Sequence, residues 1–118
     1  MNTPGIIQLN ENFALQHGNN FLRFVTGAGG IPVIELQNNH ASASISLQGA
    51  HLLSWIPADE EEVIWLSEQA QFAAGKSVRG GIPICWPWFG AHQSMPDYPA
   101  HGFARTTYWE VICTEDLD

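Results

Sequence analysis

Ala41-Ser42-Ala43-Ser44-Ile45-Ser46-Leu47 alternates without a break, small apolar residues at odd positions and serines at even ones. Side chains of an extended chain point to opposite faces at successive residues, so this pattern predicts a half-buried β-strand, with Ala41, Ala43, Ile45 and Leu47 inward. The same period extends outward. Phe21 to Val25 precedes a Gly-Ala-Gly-Gly turn, Pro32 to Leu36 ends at Asn38-Asn39, and His51 to Ile56 ends at Pro57. Val63 to Leu66 and Tyr108 to Cys113 read as further short strands. Ile82 to Phe89 is apolar, but Pro83 and Pro87 restrict it to an edge or a bulged segment. The helical signal is thin: only Ser67 to Ala74, with Ser67 as cap and Gly75 as stop, suits a turn or two. Short strands separated by turn chemistry predict an all-β, antiparallel β-sandwich spanning residues 1–118 as one domain without a second.

Composition narrows the function. The 118 residues are 45% hydrophobic, which suits a folded globular chain, and carry a formal net charge of −8. An acidic surface opposes general binding to nucleic acid or to an anionic membrane. The acidic run Asp59 to Glu62 reads as a solvated turn. Cys85 and Cys113 sit among apolar neighbours and are expected as buried, reduced thiols. No stretch approaches the roughly 20 apolar residues of a membrane helix, and no basic, then apolar, leader is seen, so a cytoplasmic setting is expected.

Against this acidity, three of the four Lys and Arg residues, Lys76, Arg79 and Arg105, fall within Lys76–Arg105. Arg79-Gly80-Gly81 is either an arginine fork beside a backbone that a carboxylate or phosphate can approach, or a turn with an exposed arginine paired to an acid. Trp86-Pro87-Trp88-Phe89 supplies either indole faces for a sugar ring or core tryptophans; alternation places Trp86 and Trp88 on one side unless a bulge intervenes. In His101-Gly102-Phe103-Ala104-Arg105 the histidine can give or take a proton near neutrality, and an extended backbone sends His101 and Arg105 to one face; the other reading is a turn into the strand with Trp109. His92, Asp97 and His101 are three ligand types in a short loop, but without closely paired histidines they make only a weak zinc pattern. His51, after a Gly-Ala turn, reads as structural. Cys85 has no basic neighbour to activate it, and there is no Gly-x-Ser-x-Gly element, phosphate loop or dinucleotide fingerprint.

Five blocks in order, Ser54-Trp55, Ile64-Trp65-Leu66-Ser67, Arg79-Gly-Gly-Ile-Pro83, Cys85-Trp-Pro-Trp-Phe-Gly90 and His101-Gly-Phe-Ala-Arg105, resemble the glucose-6-phosphate 1-epimerases, or hexose-6-phosphate mutarotases, of the aldose 1-epimerase (galactose mutarotase-like) superfamily. The resemblance runs from about Ile34 to Trp109. It implies a β-supersandwich that interconverts the α and β anomers of a hexose 6-phosphate without metal or organic cofactor. It also implies that Arg79 and Arg105 clamp the phosphate, that His101 lines the sugar site as an accessory catalytic group, and that Trp86, Trp88 and Phe89 wall it. Ala100 stands where such proteins often carry a glutamine. Family members are more than twice this long, and their principal acid histidine and base glutamate come from a later half that nothing here matches. The resemblance therefore implies an N-terminal portion that holds the substrate-binding half of the site and is inactive alone. The alternative is a non-catalytic sugar-phosphate-binding module. Half of a supersandwich is further expected to self-associate through open sheet edges.

Overall fold

A computed structural model describes residues 5–117. Its centre is one antiparallel five-stranded sheet in sequential order: β1 (Leu15–His17), β2 (Asn20–Thr26), β3 (Pro32–Gln37), β4 (Ala41–Ser46) and β5 (His51–Pro57). Each connection is short and carries turn chemistry. Gly18-Asn19 joins β1 to β2, the Gly27–Gly30 stretch forms a single tight turn, and Asn38 Oδ1 accepts the backbone N–H groups of His40 and Ala41 at 2.8 and 3.0 Å.

The two faces of the sheet follow from the register. Leu22, Leu36 and Ala43 lie across from one another, as do Phe24, Ile34 and Ile45, and all share one face. That face is closed by α1 (Ile6–Phe13), whose Leu9 packs with Phe24 and Leu47, and by Tyr108 and Val111 of the C-terminal segment. The opposite face carries Val25, Val33 and Ser46 at one end and Arg23, Glu35, Ser42 and Ser44 at the other. Its first end is covered by Leu66, Ala70, Phe72 and Val78, which pack with Val33 and Leu53. Its second end stays open and polar, crossed by the Arg23–Glu35 ion pair at 2.8 Å. A register shift against Ser44/Ile45 leaves Leu53 unpaired in β5, and Leu53 serves this second cluster.

The four strands read from the alternation are present, and the antiparallel all-β architecture holds. Ser46 departs from the simple inside–outside reading: it is buried because the serine face is roofed at its end of the strand. Other readings are corrected. Ser67–Ala74 forms one turn, closed by Ala70 N–H to the Ser67 carbonyl and capped by Gln69 N–H to Ser67 Oγ, not a helix. The helix is α1 instead, where Ile6, Leu9 and Phe13 recur at helical spacing among asparagines that weaken the local signal. Val63–Leu66 and Tyr108–Cys113 are extended without building ladders; they touch the rest through the isolated bridges Leu66–Gly80 and Gln48–Tyr108. Cys113 is exposed and Cys85 half-buried, both as free thiols, because no sheet partner covers the last segment.

Other segments occupy part of the sheet's two margins: the stretch of β2 that β1 leaves uncovered, and the free edge of β5. Asn10 reaches Phe24 beyond the end of β1, where its Nδ2 donates to the Phe24 carbonyl at 2.8 Å and its Oδ1 accepts the Phe24 N–H at 2.9 Å. Along β5, Leu52 exchanges two backbone bonds with Ile82. Glu62 accepts Trp55 N–H, Ile64 N–H and the Ser54 hydroxyl. Burial pushes the Glu62 carboxyl up, but these donors outweigh it and hold the group below the usual glutamate value. The last member of the acidic run is therefore a clip on β5, while Asp59 occupies the turn at a left-handed φ of 62°. Among the described residues no helix is long and apolar enough to cross a membrane. The radius of gyration, 15.4 Å, exceeds the roughly 13.5 Å of a compact chain this long. The excess fits the many apolar side chains left outside, Trp65, Ile82, Trp86 and Phe89 among them.

Candidate functional site

Past β5 the chain runs as a string of turns that return to the sheet at a few points. The corner between β4 and β5, Leu47-Gln48-Gly49-Ala50, receives most of them. Leu47 accepts Trp109 N–H at 2.9 Å, and Gly49 donates to the Thr107 carbonyl at 2.8 Å. Gln48, buried, donates from Nε2 to the carbonyls of Ala73 and Lys76 and accepts Gly75 N–H through Oε1. These contacts place the Arg79 loop and the Arg105 loop on the same end of the sheet.

Arg79 is exposed, and its loop is held by backbone: Ser67 N–H to the Arg79 carbonyl at 3.0 Å and Gly81 N–H to the Trp65 carbonyl at 2.7 Å. Among the described residues no ion pair reaches Arg79 or Arg105. That excludes, within them, the reading of Arg79 as half of a surface pair. Arg105 is half-buried and lies in a short 3-10 turn, Ala104–Thr106. Its Nη2 donates to the Ala100 carbonyl at 2.8 Å, whereas its Nε is buried with no acceptor. Arg105 thus carries a guanidinium with no carboxylate partner among the described residues and one unsatisfied buried donor. Ala100 takes part through its backbone, since its side chain offers no hydrogen bond.

His101 is not on an extended strand beside Arg105. It has a left-handed φ of 67°, the following glycine φ is 78°, and Phe103 turns the chain into the 3-10 turn. Gly102 is required here, because a Cβ would collide with the Trp86 carbonyl, which accepts from Phe103 N–H and Ala104 N–H. His101 pairs with Gly90 in both directions: its N–H donates to the Gly90 carbonyl at 2.8 Å, and its Nδ1 accepts Gly90 N–H at 3.0 Å. An accepting Nδ1 puts the proton of the neutral ring on Nε2. His101 can therefore present an N–H to a ligand oxygen.

The aromatic block splits. Trp86 and Phe89 are 67% and 80% exposed, and Phe89 leans on the His101 ring at 4.8 Å between centroids. Trp88 is half-buried. It stacks on Tyr98 at 5.7 Å, meets the edges of His92 and Phe103 at 4.6 and 5.0 Å, and donates from its indole to the Pro99 carbonyl. No ladder runs through Ile82–Phe89, only isolated bridges at Ile82 and Trp86, so strand alternation does not govern which way these rings face. Trp88 organises the loop, while Trp86 and Phe89 present surface. His92 Nδ1 caps the backbone of Ser94 and Met95, and among the described residues no three His, Cys, Asp or Glu side chains gather to hold a metal ion.

His51 is structural, as its place after the Gly-Ala turn suggests, and the fold sets it beside the Arg79 loop. It is 1% exposed, and its Nε2 meets the Gly80 carbonyl at 2.7 Å beside Arg79. Burial lowers its pKa below the ordinary histidine value; the bond to Gly80 opposes this, and the nearby Arg105 charge adds to it. The ring is neutral at pH 7, with its proton on Nε2 facing the carbonyl.

Comparison with known proteins bears on the family and the fold. Residues 32–117 match the family model described as aldose 1-epimerase. The "Putative glucose-6-phosphate 1-epimerase" of Escherichia coli is 53% identical over 83 residues, 69% of this chain and 27% of that one. Its namesake from Salmonella typhimurium is 52% identical over 90 residues, 75% of this chain and 30% of that one. The crystal structure of a putative mutarotase from Salmonella typhimurium superposes with a TM-score of 0.67 at 39% identity, covering 89% of this chain and 35% of the other. The chain thus spans less than a third of the length of these curated relatives. Its antiparallel sheet, its ordered arginine, tryptophan and histidine blocks and the match over 32–117 place this chain in the aldose 1-epimerase family.

Proposed function

We propose that this chain supplies the phosphate- and sugar-binding half of a hexose-6-phosphate 1-epimerase site. The observation that carries the reading is a pair of arginines without carboxylate partners among the described residues: the exposed Arg79 and, on the same end of the sheet, Arg105 with its Nη2 anchored to the Ala100 carbonyl. Two guanidinium groups suit a phosphate dianion, and an unphosphorylated sugar offers nothing to hold them. The names of the relatives support the substrate class. Trp86 and Phe89 offer flat apolar faces to the ring, and Trp88 braces the loop that carries them.

Anomer exchange needs a proton delivered to the ring oxygen and another removed from the C1 hydroxyl. The ring then opens to the aldehyde, the C1–C2 bond turns, and closure on the other face completes the exchange. His101 Nε2–H is a donor for a sugar oxygen in this scheme, an accessory to a principal acid and base that residues 5–117 do not supply in the family pattern. The chain by itself then binds without turning over, and no metal or organic cofactor takes part. The alternative, a sugar-phosphate-binding module without catalysis, shares the same clamp.

Titration calorimetry with glucose 6-phosphate tests the clamp. Arg79→Ala and Arg105→Ala should each weaken binding about tenfold or more and leave the weak binding of glucose unchanged; equal affinity for both sugars in the parent chain would sink the phosphate reading. Saturation transfer between the α and β anomeric protons tests the division of labour. Rapid exchange with this chain alone would make His101 a principal catalyst. The exposed apolar side chains also lead us to propose self-association, which a concentration-independent monomer in sedimentation would exclude.

A further inference from the structure

Between β4 and β5 a four-residue corner touches both arginine loops, and this contact is not explained by core packing alone. His51 is 1% exposed, yet it is a polar ring that spends its Nε2–H on the Gly80 carbonyl at 2.7 Å. Gly81 lies so close that a Cβ there would fall 2.5 Å from the same nitrogen. The ring is thus wedged against the backbone immediately after Arg79. Two residues earlier, Gly49 donates to Thr107 at 2.8 Å, and a Cβ on Gly49 would lie 2.6 Å from the Arg105 carbonyl oxygen. Its φ of 81° and the 45° of Ala50 give the corner a tight left-handed path. Gln48, 3% exposed, binds Ala73, Gly75 and Lys76 and fixes the approach to Arg79.

We propose that Gln48–His51 is the positioning element of the anion site, a rigid bracket that sets the Arg79 loop and the Arg105 loop at a fixed spacing through one buried imidazole and one glycine contact. The inference rests on the reading of Arg79 and Arg105 as a phosphate clamp, but its mechanical part stands apart from it. Long flexible arginines gain affinity for a dianion only when their backbones are held, since otherwise ordering them on binding offsets the hydrogen bonds. A hydrophobic residue at 51 would fill the space equally well. The imidazole adds a directed donor to the carbonyl at the base of the Arg79 loop.

The test uses the 118-residue chain with His51→Leu, which keeps bulk and drops the donor, His51→Gln, which keeps an N–H, and Gln48→Met. Amide hydrogen exchange is followed at Gly81 and Ile82 in the first loop and at Gly49 in the corner, with Phe24 and Ile34 as controls for the sheet; glucose 6-phosphate affinity is measured in parallel. The bracket predicts that His51→Leu speeds exchange in the first loop and at Gly49 while Phe24 and Ile34 stay protected. It also predicts that affinity for glucose 6-phosphate falls about tenfold or more and that His51→Gln restores most of both. Unchanged exchange at Gly49 overturns it, as does a Gln variant as impaired as Leu. If His51→Leu does not fold, Gln48→Met decides by the same two readouts. A parent chain that does not bind glucose 6-phosphate removes the clamp reading, and the exchange pattern then still decides the bracket.

Discussion

The chain from Leu15 to Pro57 and the chain from Ala58 onward are built on different terms. The first is a meander in which every strand is hydrogen-bonded to its neighbour in sequence, with Phe24, Val33 and Leu53 buried on its two faces. The second has isolated bridges in place of ladders, several glycines at left-handed φ, and Trp65, Trp86 and Phe89 largely exposed. Yet the second holds nearly every group suited to ligand chemistry. The meander makes its own shape. The later segment takes its shape from a few points of attachment, chiefly Gln48, Gly49 and His51, and so its geometry can be lost without loss of the sheet.

That asymmetry can be broken by mutation, beginning with the meander. Phe24→Ala removes a ring that is 2% exposed and packs with Leu9 and Leu47. It should cost about 3–5 kcal/mol and collapse both regions together in a urea titration; a transition confined to one region would show that they fold separately. Gly102→Ala should act on the later segment alone. It combines a φ of 78° with a clash at the Trp86 carbonyl, so a loss of about 1–3 kcal/mol is expected. Exchange at Gly90 and Phe103 should rise while Ile34 stays protected, and uniform loss of protection would contradict the comparison.

Acid sharpens it further. The folded pKa of His51 lies below its unfolded value near 6.5, so the folded state binds fewer protons. Its stabilising share is complete above pH 6.5 and declines as pH falls from there through the folded pKa. The Glu62 share persists above about pH 4.5 and is lost only below it. The melting temperature should therefore begin to fall below pH 6.5, and His51→Gln should remove that first decline while leaving the later one; a decline that survives the substitution would assign it elsewhere. The smallest effect belongs to the open polar face. Arg23 and Glu35 are exposed, and Arg23→Ala should change stability by less than about 1 kcal/mol in the same denaturation assay.

How far the sequence could be read follows the same divide. Alternation at Phe21–Val25, Pro32–Leu36, Ala41–Leu47 and His51–Ile56 marked the ladders because strands that bury one face must write it at period two. Val63–Leu66 and Tyr108–Cys113 carry β-prone residues too, but pairing depends on where the chain returns, which composition does not encode. The arginine blocks stood out in the sequence as clustered cations in an acidic chain. Their placement was not legible, because it rests on single side chains such as Gln48 that reach backbone groups some 25 residues away. Glu62 shows the same limit, since an acid in a charged run looks solvated until a strand edge is placed beside it.

Trp88 gives the molecule a built-in optical gauge. The other four indoles, Trp55, Trp65, Trp86 and Trp109, are 42%, 64%, 67% and 42% exposed and should emit as solvated tryptophans. Trp88 instead lies within energy-transfer range of Tyr98 and against His92, both in the loop that joins Phe89 to His101. Its emission should be blue-shifted and should move to the red when Tyr98 and His92 leave it, so colour and intensity read the state of that loop without a label.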